Sequence, residues 1–196
     1  MKLLIIDNYD SFTYNLVHYA EQFVDNLFVF RNDEIDLESI AEYDAIIISP
    51  GPGIPETAGI SLEVVKRYGS KIPMLGICLG HEAIAMSYGA QLINLPDVLH
   101  GVGVETIVTD DKEPIFNNIP KTFKSGRYHS WVITEKDLPE SLKVIAKDIH
   151  GNIVALRHKK YNLCGVQFHP ESIMTEYGLK MIENWINHIK TNNFVE

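Results

Sequence analysis

The sequence "IPMLGICLGHEAIAMSY" (residues 72–88) joins an apolar run to a helical pattern through a very short turn. The run at 72–77 is short, uninterrupted and apolar, which is typical of a buried β-strand. Residues 79–88 then have helical periodicity, and Gly89 follows them as a typical helix stop. The stretch therefore predicts a strand that leads directly into a helix, with Cys78 at the corner between them.

The same alternation of apolar runs and helical patterns fills the first half of the chain. Further strands are expected at residues 2–7, 27–31 and 44–49, and helices near 11–24, at 35–43 and at 60–69. Strands that are separated by helices predict βαβ crossovers, and these give a parallel sheet with helices on both faces.

The second half of the chain is expected to be rich in strands. Its strand-like stretches are VETIVT (104–109), SWVIT (130–134), LKVIAKD (142–148), IVALRH (153–158) and LCGVQF (163–168). An amphipathic helix at 176–190 follows them. We therefore predict an α/β fold: an open, mostly parallel sheet flanked by helices on both faces, with an antiparallel extension, in a single domain over residues 1–196.

Composition and charge exclude several classes of partner and location. The formal net charge of −9 argues against nonspecific binding to nucleic acid or to anionic membranes. The N-terminal apolar run breaks at Asp7, too early for a signal peptide or a membrane anchor. Two cysteines without a secretory signal are typical of reduced thiols, so we expect a cytoplasmic protein.

Cys78 has the surroundings of a catalytic nucleophile. Gly76 and Gly80 flank it in a G-x-nucleophile-x-G arrangement, in which a strained strand-to-helix turn exposes the side chain. The N-terminus of the following helix is expected to lower the pKa of the thiol, and the Leu79 amide is a candidate oxyanion donor. The alternative is a buried structural cysteine, which is the commonest fate of a free thiol.

The stretch "VQFHPES" (166–172) supplies a candidate base. Extended residues two apart project to the same side, so His169 and Glu171 are expected side by side, with Pro170 ending the strand. A carboxylate beside an imidazole keeps the tautomer needed to accept a thiol proton. Alternatively, each of the two residues is only structural.

The loop "SPGPG" (49–53) could complete an oxyanion hole with backbone amides, although such turns are often only turns.

Together these motifs resemble the class I, or triad, glutamine amidotransferases. The matching stretches run nearly end to end: DNYDSFTYNL (7–16), SPGPGIP (49–55), GICLGHE (76–82), HG (100–101), RYHS (127–130) and GVQFHPES (165–172). GICLGH and FHPES are typical of the whole class. DNYDSFTYNL and RYHS are similar to its chorismate branch, the glutaminase subunits of anthranilate synthase and aminodeoxychorismate synthase.

The resemblance implies a flavodoxin-like sheet and a role for each matching residue. Cys78 would be the nucleophile, His169 the base and Glu171 the residue that orients it. The substrate-binding residues that it implies are Gly51, Pro52, Gly53, Leu79, Glu82, Ser130 and Trp131. His81 and His129 are expected to be structural, and the spacing of the eight histidines indicates no metal site.

Two positions depart from the family pattern. The family usually has glutamine at the position of Glu82, where the residue contacts substrate glutamine, and Lys-Thr-Ser at the position of residues 102–104, which are Val-Gly-Val here. A carboxylate cannot donate as an amide does, and its charge would raise the pKa of a nearby cysteine. The change at 102–104 is expected to alter a loop near the partner surface.

The resemblance implies hydrolysis of L-glutamine through a cysteinyl thioester, with the ammonia passed to a separate chorismate-binding synthase subunit. It implies magnesium in that partner and no cofactor in this chain. One alternative is a catalytically weak binding subunit that stabilises the synthase because Glu82 spoils glutamine capture. A stand-alone γ-glutamyl hydrolase is the other, and the chorismate-branch motifs disfavour it.

Overall fold

The computed structural model describes residues 1–136 and 138–192. The strands are β1 (Lys2–Asp7), β2 (Asn26–Arg31), β3 (Ala45–Ile48), β4 (Met74–Ile77), β5 (Leu92–Val108), β6 (Thr122–Ile133), β7 (Leu142–Asp148), β8 (Ile153–His158) and β9 (Leu163–Val166). The helices are α1 (Thr13–Ala20), α2 (Ser61–Tyr68), α3 (Leu79–Ser87) and α4 (Gly178–Asn192). Short 3₁₀ helices cover Leu37–Glu42, Pro55–Thr57 and Pro114–Phe116.

All nine strands form one mixed sheet in the order β2-β1-β3-β4-β9-β8-β7-β5-β6. The half from β2 to β9 is parallel, and the half from β9 to β6 is antiparallel. This confirms the predicted α/β fold with an antiparallel extension, although the extension is as wide as the parallel part. β4 lies in the middle of the parallel half and pairs with β3 on one side and β9 on the other.

Helices cover both faces of the parallel half, as the sequence predicts. α1 and α4 pack on one face, where Leu16 and Trp185 join the sheet residues in one core cluster. α2 and α3 pack on the other face, where Val64 and Ile84 belong to a second cluster. The strands β1 and β3 contribute alternate side chains to the two clusters, so both faces of the sheet are buried. No helix in the described parts of the chain combines the length and apolarity needed to cross a bilayer.

Three elements differ in extent from the sequence prediction. The helix expected near 11–24 covers only Thr13–Ala20, because the carboxylates of Asp7 and Asp10 accept bonds from backbone amides at Tyr9 and Phe12 and hold that segment as a turn. The helix expected at 35–43 is a 3₁₀ helix over Leu37–Glu42. β5 and β6 are much longer than the stretches VETIVT and SWVIT, and they pair along most of their length.

Asn8 ties the carboxyl ends of β1 and β3 together. Its side chain donates to the Ser49 carbonyl at 2.9 Å and accepts from Asn32 Nδ2 at 2.9 Å and Ser61 Oγ at 2.7 Å. Its backbone amide donates to Ser49 Oγ at 2.8 Å. The residue is 2% exposed, so these groups have no access to water if the bonds are lost. The network fixes the loop after β3, including Gly51, against the loop after β1.

Replacement of Asn8 by alanine is expected to lower the free energy of unfolding by about 3 kcal/mol, because it leaves buried donors and acceptors on three neighbours without partners. Urea unfolding of Asn8→Ala, compared with Asn26→Ala, measures this. Asn26 is exposed on β2, so its substitution is expected to change stability by no more than about 0.5 kcal/mol. Equal losses in the two variants would contradict the role given to Asn8.

Candidate active site

Cys78 occupies the turn between β4 and α3 in a strained backbone conformation. Its φ of 52° and ψ of −105° lie outside the regions that L-residues prefer. The backbone on either side is well held: the Cys78 amide donates to the Val166 carbonyl at 2.8 Å, and the Cys78 carbonyl accepts from the Glu82 amide at 3.0 Å. The strain is therefore imposed by the surrounding strand and helix.

Close packing explains the two glycines that flank Cys78. A Cβ atom on Gly76 would overlap the backbone of Gly80, and a Cβ atom on Gly80 would overlap the backbone of Ile48 on β3. α3 therefore approaches β3 and β4 at a distance that only glycine permits. This is the steric arrangement that the sequence predicts for the cysteine corner.

His169 and Glu171 form a buried pair after β9. His169 Nδ1 and Glu171 Oε1 are 2.6 Å apart, and both residues are 2% exposed. With Nδ1–H donating to the carboxylate, His169 Nε2 is left as an acceptor, and it has no hydrogen-bond partner among the described residues. Cys78 and His169 line the same cavity of about 280 Å³ without bonding directly to each other. The structure thus brings together the three residues expected to form a triad.

Neighbouring backbone and an aromatic ring fix the position of His169. Its amide donates to the Gly126 carbonyl at 3.2 Å, and its carbonyl accepts from Thr175 Oγ1 at 2.5 Å. The Tyr128 ring packs against the imidazole with centroids 4.8 Å apart. Tyr128 also reaches Ser172, with the two hydroxyl oxygens 3.0 Å apart. The imidazole is therefore held from β6 as well as from its own loop.

A pocket of about 150 Å³ opens on the other side of Cys78. Its lining residues are Gly51, Pro52, Gly53, Cys78, Leu79, Glu82, Val98, Tyr128, His129, Ser130 and Trp131. All seven residues expected to bind substrate line this pocket together with Cys78. We call it the substrate pocket below. Its size suits a small amino acid, and its walls come from the loop after β3, from α3 and from β5 and β6.

Several residues at the site were missed in the sequence analysis. Gln167 is fully buried, and its Nε2 donates to Glu82 Oε1 at 3.0 Å and lies 3.7 Å from Cys78 Sγ. It lies two positions before His169, so the alternation that paired His169 with Glu171 could have identified it. Asp10 has an oxygen close to His169 and Glu171, with the possible ligand atoms of the three residues within 4.8 Å of one another. No spacing in the sequence indicates that contact.

Burial and nearby acids raise the pKa of the Cys78 thiol well above its ordinary value. Burial is the largest cause, followed by the charges of Glu82, Glu171 and Asp10, while the Leu79 backbone amide acts in the opposite direction. The Leu79 amide at the N-terminus of α3 lowers this pKa, as the sequence predicts, but its effect is smaller than that of burial and the acids, so the predicted net lowering of the pKa is wrong for the free protein. A helix terminus supplies only a partial positive charge, which does not offset burial together with the carboxylates of Glu171 and Asp10, and Glu82 adds to their effect once it is ionised. Cys78 therefore rests as a thiol in this state.

The two histidines near the motifs are both uncharged at neutral pH. Burial lowers the pKa of His81 to about 3 and that of His129 to about 4. His129 Nδ1 lies 2.9 Å from the Trp131 carbonyl, and its ring lines the substrate pocket. Beneath them the guanidinium of Arg127 is fully buried, donates to Thr106 Oγ1 at 2.9 Å and keeps a pKa of about 10, so it stays charged.

Comparison with known proteins finds one family that matches nearly the whole chain. The family model for glutamine amidotransferase class-I matches residues 4–189. Aminodeoxychorismate/anthranilate synthase component 2 of Bacillus subtilis is 43% identical over 94% of this chain and 95% of its own length. Anthranilate synthase component 2 of Cyanophora paradoxa is 43% identical over 94% of this chain and 98% of its own.

Two further relatives extend the comparison. Bifunctional protein TrpGD of Thermotoga maritima is 44% identical over 95% of this chain, and the match covers only 32% of that longer protein. A crystal structure from Thermoplasma acidophilum, of a protein provisionally assigned as one part of GMP synthase, has the same fold. Its TM-score is 0.87 at 24% identity, over 98% of this chain and 96% of that one.

The strain at Cys78 predicts an unusual order of stability for two variants. Cys78→Gly and Cys78→Ala both remove the sulfur, but glycine adopts a positive φ without strain. The free energy of unfolding of the glycine variant should therefore be about 1–2 kcal/mol higher than that of the alanine variant. Urea unfolding of both variants measures this difference.

Cys164 provides the matched control, because it is also buried but lies within the regular strand β9. There the order is expected to reverse, with Cys164→Gly about 0.5–1 kcal/mol less stable than Cys164→Ala. If the alanine variant is the more stable one at both positions, the Cys78 backbone is not strained.

Proposed function

The chain belongs to the class I glutamine amidotransferases, and we propose that it is the glutaminase subunit of a two-component synthase of the anthranilate or aminodeoxychorismate type. The relatives named as component 2 match it over nearly its whole length, at about 43% identity. The observation that carries the proposal is the position of Cys78. Cys78 lines both the substrate pocket and the cavity that His169 lines.

The chemistry begins with proton transfer from Cys78 to His169. Nε2 of His169 is the free acceptor, since Nδ1 is engaged by Glu171. The thiolate attacks the side-chain amide carbon of L-glutamine, and the amide carbonyl becomes an oxyanion. As the C–N bond breaks, His169 returns the proton to the departing ammonia and a thioester remains. Water then cleaves the thioester, which releases glutamate and restores the thiol.

Backbone amides are suited to hold the oxyanion. The Leu79 amide acts to lower the pKa of the Cys78 thiol, which places it as a donor beside the reacting sulfur. Gly51 and Gly53 lie across the pocket, in the loop that Asn8 holds in place, and Gly53 has a φ of 81°. A side chain at Gly51 would overlap Asn8, so the close approach of this loop to β1 requires glycine there.

We infer that the ammonia is consumed by a separate, chorismate-binding synthase subunit. The family model, for glutamine amidotransferases, supports glutamine as substrate, and the relatives' names, which describe component 2 of a synthase, support a component I partner. Any magnesium is assigned to that partner. The steps proposed for this chain use a thiol, an imidazole, a carboxylate and backbone amides, so they need no cofactor.

Glu82 does not favour the alternative of a catalytically weak subunit. Burial raises the pKa of its carboxyl to about 8, so at neutral pH it is uncharged and places no anion beside Cys78. A neutral carboxylic acid has an O–H donor and a carbonyl acceptor, so like an amide it can both donate and accept hydrogen bonds. The departure from the family's glutamine is therefore compatible with glutamine capture.

Substitution of Cys78 tests the proposed division of labour. In the reconstituted complex, Cys78→Ala should abolish product formation from glutamine, because no thioester can form, and should leave product formation from ammonium salts within about twofold of wild type. Chorismate-dependent product is measured with each nitrogen source, and Cys164→Ala serves as the control with both activities intact. Equal loss with glutamine and with ammonia would contradict the proposal.

The role of Glu171 gives a second prediction. Glu171→Gln keeps the size of the side chain but removes the charge that holds the His169 tautomer, so kcat for glutamate release should fall by about 10² to 10⁴. A coupled glutamate assay on the complex measures this. Glu140→Gln, at an exposed carboxylate far from the pair in sequence, should retain wild-type kcat. A Glu171→Gln enzyme with kcat within about threefold of wild type would show that Glu171 does not orient the base.

A further inference from the structure

Glu82 is a carboxyl group in a site where carboxylates are unfavourable. It lies one helical turn after Cys78 on α3, is 2% exposed and lines the substrate pocket. Its Oε1 accepts from Gln167 Nε2 at 3.0 Å. A buried carboxylate is stable only when it has a cation or several donors, and a carboxylic acid needs neither.

The groups that face Glu82 from the surrounding elements supply no positive charge. Cys78 lies at the start of its own helix and Gln167 follows β9. Glu56, on the 3₁₀ helix Pro55–Thr57, acts on Glu82 as a like charge. His129, across the pocket on β6, is uncharged at neutral pH because burial lowers its pKa to about 4. Within residues 1–136 and 138–192, no lysine, arginine or histidine forms an ion pair with Glu82.

Gln167 connects Glu82 to the nucleophile. The same Nε2 that donates to Glu82 lies within donor distance of Cys78 Sγ, at 3.7 Å. An amide nitrogen carries two hydrogens, so it can serve both acceptors at once. The orientation of the amide, with its nitrogen towards the sulfur, is set by this contact with Glu82, because Gln167 Oε1 has no partner among the described residues.

We propose that Glu82 is a positioning residue that works as an uncharged carboxylic acid, orienting the Gln167 amide towards Cys78 without placing a negative charge beside the thiolate. In this form it substitutes for an amide side chain. Once ionised, it would still accept from Gln167, but its charge would oppose formation of the thiolate. This inference rests on the proposed glutaminase function, in which Cys78 is the nucleophile. Its tests measure the free protein and need no glutamine turnover.

The pH at which Glu82 ionises determines how the reactivity of Cys78 is expected to change with pH. Its pKa is raised to about 8 by burial, so it is neutral below that pH and charged above it. Ionisation above about pH 8 should raise the pKa of the Cys78 thiol further, because Glu82 acts on Cys78 as a like charge. Reactivity of Cys78 should therefore rise less steeply with pH in wild type than in Glu82→Gln, which stays neutral at every pH.

The experiment measures alkylation of Cys78 by iodoacetamide between about pH 6 and 10, in a Cys164→Ala background that leaves one thiol. Wild type and Glu82→Gln should react at rates within about twofold of each other at pH 7. At about pH 9 to 10 the wild type should be slower by about tenfold. Glu63→Gln, at an exposed carboxylate on α2, is the matched control and should follow the wild-type profile throughout.

Two outcomes would overturn the proposal. A Glu82→Gln variant that reacts faster than wild type by the same factor at every pH would mean that Glu82 is already ionised at pH 7. Identical profiles at all pH values would mean that its charge does not reach the thiol. Both outcomes concern the free enzyme, so they are separate from a failure of glutaminase activity.

Infrared spectroscopy of the wild type keeps the proposal testable if Glu82→Gln does not fold. The difference spectrum between about pH 7 and pH 9.5 should lose the carbonyl stretch of a protonated carboxylic acid and gain carboxylate bands, since ordinary exposed acids are ionised at both pH values. Absence of a protonated carboxylic acid at pH 7 would contradict an uncharged Glu82.

Discussion

The arrangement of the site depends on how closely α3 approaches the sheet. β3, β4 and the first turn of α3 are separated by distances at which Gly76 and Gly80 leave no room for a Cβ atom. This contact holds Cys78 in its strained turn and directs the Leu79 amide towards the sulfur. The energy stored in one unfavourable backbone conformation is offset by the buried strands and helices on both sides, which form the two apolar clusters.

The free enzyme holds its nucleophile in an environment that disfavours the thiolate. Burial and the carboxylates of Glu171 and Asp10 act in that direction, and His169 shares a cavity with Cys78 without bonding to it. An enzyme whose ammonia is meant for a partner gains from such a resting state, because glutamine hydrolysis without an acceptor is wasteful. The loop that carries His169 is bonded to β6 through Gly126 and Thr175, so the position of the base relative to the sulfur depends on that strand.

Much of this architecture could be predicted from local sequence patterns. Apolar runs and helical patterns identify the strands and helices of the parallel half, and the glycines around Cys78 indicate the turn before any coordinates. β5 and β6 were underestimated because polar residues and glycines interrupt their apolar pattern, and β5 carries register shifts between Asn94 and Leu99 and between His100 and Val102. At the site, Gln167 was within reach of the same reasoning that paired His169 with Glu171. The contact of Asp10 with that pair and the burial of Glu82 depend on tertiary packing, which no local spacing encodes.

Because Cys78 lines two cavities, the structure determines where a small product is released. Of these two cavities, Ser130 and Trp131 line only the substrate pocket, residues 9–12 and His100 line only the second cavity, and Tyr128 lines both. A small neutral molecule cut from an amino acid seated in the substrate pocket is released next to the sulfur, on which the second cavity also borders. The architecture thus places the reacting sulfur on the walls of two adjoining cavities at once.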